Sequence, residues 1–96
     1  MDWSIISIVQ VDFYNKTLND DDLRFVEELL RTYNDVDNLN VHPAALNFYI
    51  WGKEKVDYGI LDKLRDRLKD MGYNNFEISA REYETTGKGY HYSSQI

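Results

Sequence analysis

The chain holds no cysteine. A disulfide framework and a thiolate metal site are thereby excluded, and every residue present tolerates a reducing compartment. Proline occurs once, at Pro43, and glycine five times in 96 residues, so there is no linker-like or low-complexity tract. No apolar run approaches the ~20 residues that a membrane span requires. The opening Met-Asp-Trp-Ser has neither the basic n-region nor the apolar h-region of a secretory signal. These absences lead us to expect a soluble, cytoplasmic protein that forms one α+β domain over residues 1–96 and has no membrane partner. At this length a chain buries only a little over ~60% of the surface its unfolded form exposes, which leaves room for one core.

Aromatics and charge are plentiful. Fourteen aromatic residues (eight Tyr, four Phe, two Trp) in a chain that is 43% hydrophobic argue for a folded domain despite a net charge of −6. That charge is unevenly spread. Residues 1–48 carry nine carboxylates against three cations, whereas residues 49–96 carry eight of each sign. Summed charge of one sign sets the long-range field a partner meets, so the asymmetry bears on association more than on fold.

Residues 3–14 are rich in β-branched and aromatic types and predict a strand, with Trp3, Ile5, Val9, Val11 and Phe13 on one face and Ile6, Ile8 and Tyr14 on the other. Apolar content on both faces predicts a central position in its sheet. A first helix follows. Asn19 is its expected N-cap, Asp20 to Asp22 fill a first turn that favours negative charge, and Leu18 is placed to staple against Leu23. Leu23, Val26, Leu30 and Tyr33 form its apolar stripe, from which Phe25 departs. A second helix is expected after Val56, with Asp57 as cap, a stripe at Leu61, Leu64, Leu68 and Met71, and Gly72 as its stop.

The 22 residues between the helices are too many for a structureless connection in a small domain. They predict a short strand near 38–41, a turn at His42-Pro43 and a strand over 45–51. Strands over 76–84 and 90–96 follow, joined by a glycine-bearing loop over 85–89. The order β-α-β-β-α-β with a closing β predicts a two-layer sandwich. Two helices would pack on one face of a four- to five-stranded, mostly antiparallel sheet, in the ferredoxin-like manner with an extra C-terminal strand. Should 38–41 be loop, the order becomes β-α-β-α-β-β.

Chemical constellations are few. Asp35-Val-Asp37-Asn38 starts like a calcium loop, but Asn40 stands where glycine belongs and Leu46 where the bidentate glutamate belongs. Gly87-Lys88 lacks the Ser or Thr and the first glycine of a phosphate loop. His42 and His91 have no sequence partners for acid–base work. Consecutive aspartates on a helix point ~100° apart, so Asp20–Asp22 do not converge on one ion. The sequence therefore predicts no enzyme, metal or cofactor.

What remains is a binding surface. Asp20–Arg24 and Glu27–Arg31 are spaced for pairing, which leaves Asp21, Asp22, Glu28, Asp35 and Asp37 as the acids without a sequence partner. Strand alternation sends Tyr49, Trp51 and Tyr83 outward, together with Ile6 and Ile8, as an apolar patch on the uncovered sheet face. Single-stranded RNA could stack on such a face, but no basic track accompanies it, so no direct nucleic-acid binding is expected. The expectation is a non-enzymatic inhibitor of the phage or mobile-element anti-defence type. It would dock on a basic, nucleic-acid-binding protein through Asp21, Asp22, Glu28, Asp35 and Asp37, with Tyr49, Trp51 and Tyr83 as anchors. The alternative is a homodimer or adaptor that self-associates through the aromatic face.

Overall fold

A computed structural model describes residues 5–86 and 89–95 of the chain, with side chains through Glu84. Its strands β1 (Ile5–Phe13), β2 (Val36–His42), β3 (Ala45–Gly52) and β4 (Phe76–Thr86) form an antiparallel sheet in the order β2-β3-β1-β4, with helices α1 (Asp20–Arg31) and α2 (Gly59–Asp70) between them in sequence. Beyond Thr86, the backbone of β5 (Gly89–Gln95) runs antiparallel beside β4. β1 lies between β3 and β4, the central place that its two apolar faces predict.

The helices close one sheet face only. Val9, Val11 and Phe13 of β1, Leu46, Phe48 and Ile50 of β3 and Ala80 of β4 pack with Val26 and Leu30 of α1 and Ile60, Leu61, Leu64 and Leu68 of α2 in one buried cluster. Burial of a large aliphatic side chain contributes roughly 1.5–3 kcal/mol each, so this cluster is the main favourable term for the fold.

α1 begins as its sequence requires. The Asn19 side chain accepts a hydrogen bond from the Asp22 amide at 2.8 Å, and three aspartates occupy the first turn. Leu18 is buried beneath the helix start, with Leu23 packed against the same core. Phe25, which departs from the stripe, stays 41% exposed, and the Arg67 guanidinium of α2 stands 5.3 Å from its ring centroid.

α2 starts later than its sequence suggests. The N-cap is Tyr58, with no side-chain capping bond, and Asp57 instead accepts from the Gly59 amide at 2.9 Å. Asp57 thus shapes the turn before the helix, and Ile60 joins Leu61 in the core. The stop is as expected. Gly72 adopts φ +93°, the left-handed region where a Cβ is costly. Its amide bonds to the Lys69 carbonyl at 3.0 Å, and the Tyr73 amide reaches back to Leu68 at 2.9 Å. These are the two bonds of a Schellman end.

The stretch between the helices forms two strands. β2 is longer than expected, because a register shift between Asp37 and Asn40, with Asn38 at φ +52°, carries an extra residue while pairing continues. The Pro43-Ala44 turn returns the chain into β3, and the His42 Nδ1 accepts from the Ala44 amide at 3.2 Å. Trp3, Gly87 and Lys88 lie outside the described residues, as do the side chains of Thr85, Tyr90, His91 and Tyr92.

Candidate protein-binding surfaces

Residues paired across antiparallel strands share a face. The register opposes Ile6 to Trp51 on one side and Tyr83 on the other, and Ile8 to Tyr49 and Arg81. Tyr49 in turn opposes Asp37 of β2. One row across the sheet therefore reads Asp37, Tyr49, Ile8, Arg81, with strands about 4.8 Å apart. The next row, about 7 Å further along the strands, is Asn40, Asn47, Gln10 and Ser79; after it come His42, Ala45, Asp12 and Glu77. The outer face thus grades from apolar through a band of amides to a fringe that holds two opposed carboxylates.

This corrects the expected patch in one respect. Ile6 is only 1% exposed and stands apart from the helix-side core cluster, between its register partners Trp51 and Tyr83. The accessible centre is Ile8, 39% exposed, beside the half-buried Tyr49. The amide band is tied together locally. Asn40 Nδ2 lies 3.4 Å from Asn47 Oδ1, and Gln10 Nε2 donates to Asp12 Oδ1 at 3.0 Å. At the acidic fringe the Tyr14 hydroxyl is held above its ordinary pKa, first by the charge of Glu77, then by desolvation and by Asp12.

The acids expected to bind a partner do not gather on this face. Asp21 and Glu28 are exposed on α1, and the 3.6-residue period turns both away from the buried Val26 and Leu30, hence away from the sheet. Asp22 is not unpaired. Its Oδ2 accepts from the Tyr73 hydroxyl at 2.6 Å, and that hydroxyl also receives the Asn19 amide at 3.4 Å. With Lys16 Nζ 4.5 Å from its ring centroid, Tyr73 is fixed on every side, and burial with the Asp22 bond raises its pKa. Asp22 is therefore a strut of the α1 start. Asp35 is half-buried at the entry to β2, where its carbonyl accepts the Trp51 amide at 2.9 Å. Only Asp37 joins Tyr49, Trp51 and Tyr83 on the sheet face. Strand alternation by itself puts Arg81 with Tyr83 and Asp12 with Ile6 and Ile8 on that face; Glu77 is the member that sequence reasoning overlooked, although the same alternation along β4 identifies it.

A polar cluster lies on the helix side of the sheet. The Tyr58 hydroxyl donates to Glu82 Oε2 at 2.5 Å and sits 3.3 Å from Ser7 Oγ, and Ser7 is fully buried. Burial, reinforced by the Glu82 bond, pushes the Tyr58 pKa up to about 12. A shallow depression beside it is lined by Asp35, Lys53, Lys55, Asp57 and Tyr58. Among the described residues no three His, Asp or Glu side chains converge as a metal site, and no helix is long and apolar enough to cross a membrane. Comparisons with protein-family models, curated proteins and solved structures give no match.

Proposed function

We propose that this chain is a non-enzymatic, cytoplasmic protein-binding domain with two separate interfaces, an acidic one on α1 and an apolar one on the outer sheet face. The observation that supports it is their segregation. Asp21 and Glu28 are exposed on the helix layer, while Ile8 and Tyr49 are accessible on the opposite side of the sheet. In this reading the acidic layer takes a basic protein, with a nucleic-acid-binding enzyme as the natural class, and the domain acts as an inhibitor of the phage or mobile-element anti-defence type. Carboxylates at an exposed helix start raise the encounter rate with a basic groove, and that contribution is screened by salt. We further read the architecture as ferredoxin-like with an added C-terminal strand, on the support of the β2-β3-β1-β4 order.

The test is capture of partners from a lysate of the native cell by the tagged protein, washed at low and at about half-molar salt, with identification by mass spectrometry. A basic nucleic-acid-binding protein held at low salt, released at high salt and lost with the Asp21→Asn, Glu28→Gln double variant is the expected result. Capture that is indifferent both to salt and to the double variant overturns the acidic interface.

A further inference from the structure

We infer that the outer sheet face is the interface of a symmetric dimer, formed with a second copy of this chain about a two-fold axis that runs parallel to the strands between β3 and β1. The inference names the occupant of the sheet-face interface proposed above, on which it rests, and does not depend on the acidic interface on α1.

The argument is the order of chemistry across the face. From β2 to β4 one row reads Asp37, Tyr49, Ile8, Arg81, an acid on β2 and a base on β4 with two apolar groups between them, and beyond Arg81 the backbone register continues to Gln95 of β5. A two-fold rotation about an axis along the strands reverses that order in the facing copy. Asp37 then lies over Arg81 of the second copy, Tyr49 over its Ile8, and the same two contacts recur on the other side of the axis. The neighbouring rows obey the same operation. Asn40 faces Ser79 and Asn47 faces Gln10, polar on polar, and in the third row His42 faces Glu77 while Asp12 lies over Ala45.

A two-fold with its axis across the strands and along this same row sets Asp37 over Asp37 and Arg81 over Arg81, which repels twice. This row is therefore self-complementary about the strand-parallel axis and repels itself about the transverse one, and an isologous interface requires such self-complementarity. Face-to-face sheets pack about 10 Å apart, a gap that an aspartate and an arginine reaching from both sides can bridge. The exposed Ile8 supplies the apolar centre that water would otherwise cover.

Sedimentation equilibrium on the full chain across micromolar to near-millimolar concentration, with circular dichroism as the check on folding, tests this. The wild type is expected to be a dimer, and Ile8→Glu a folded monomer. Asp37→Arg and Arg81→Asp are each expected to weaken self-association at least about tenfold, because each sets like charges face to face twice. An equimolar mixture of these two variants is expected to dimerise again, since each then meets the opposite charge on the other. A monomeric wild type overturns the inference, as does a dimer that Ile8→Glu leaves intact. Failure of the mixed variants to recover association overturns the Asp37–Arg81 orientation. None of these outcomes bears on capture of a basic protein through α1, which is measured separately.

Discussion

Gly52 shows how much one methyl group can matter. A Cβ built there would lie 2.0 Å from the Lys55 carbonyl oxygen, a backbone atom that cannot move aside without unseating the turn that buries Val56. Gly52→Ala is therefore expected to cost about 1–3 kcal/mol or more, read as a lower urea midpoint at unchanged m. Tyr58 is the second such position. Its hydroxyl bonds Glu82 and adjoins the buried Ser7, so Tyr58→Phe is expected to lose about 1–3 kcal/mol. The sign of its pH dependence follows from its raised pKa of about 12. The folded state holds the phenolic proton more tightly than the unfolded chain does. The stabilisation is present in full below the ordinary tyrosine pKa of about 10 and is lost as pH rises from there through about 12. Alkaline unfolding followed by circular dichroism should be shallower over that window in Tyr58→Phe. A wild type and a variant with the same alkaline slope would refute the assignment.

At the scale of the element, each helix is delimited by a few specific bonds. Asn19→Ala removes the acceptor of the Asp22 amide and is expected to cost about 1 kcal/mol. Gly72→Ala forces a Cβ into the left-handed region at φ +93° and is expected to cost about 1 kcal/mol or more. Thermal or urea denaturation measures both, and a neutral Gly72→Ala would contradict the Schellman end. The boundary residues show why helix ends are unevenly legible. Asn19 and Gly72 act through their own local conformation, which sequence reveals. Asp57 resembles a cap in sequence, but its carboxylate accepts from the Gly59 amide in the turn that leads from the buried Val56 into the helix. The extra residue in β2 was illegible for a similar reason, since a bulge is defined by the neighbouring strand's register.

For the whole molecule, the sheet has a helix-covered face and a second face on which Asp37 of β2 and Arg81 of β4 flank the apolar pair Tyr49 and Ile8 in one row. If a second copy covers that face, the melting temperature rises with protein concentration, because association stabilises the folded state by mass action. Differential scanning over a hundredfold range of concentration should show this for the wild type and not for Ile8→Glu. A concentration-independent melting temperature in the wild type would speak against a dimer. The acids expected to act with the aromatics divide at this scale. Asp37 belongs to the sheet, Asp21 and Glu28 to the far side of α1, and Asp22 to an internal bond with Tyr73.

The sequence by itself determined the two helices, the central first strand, the inward sets of β3 and β4 and the outward turn of Tyr49, Trp51 and Tyr83. Each of these follows from a periodicity or a cap that is local in the chain. Tertiary structure decided which strand stands beside which. That alone sets Arg81 next to Ile8, buries Ile6 between Trp51 and Tyr83, joins Tyr73 to Asp22 and Tyr58 to Glu82, and parts the helix acids from the aromatic face. These relations link residues as many as 77 positions apart, as in the register of Ile6 with Tyr83. Alternation fixes which way a side chain points, and only strand pairing fixes what it meets.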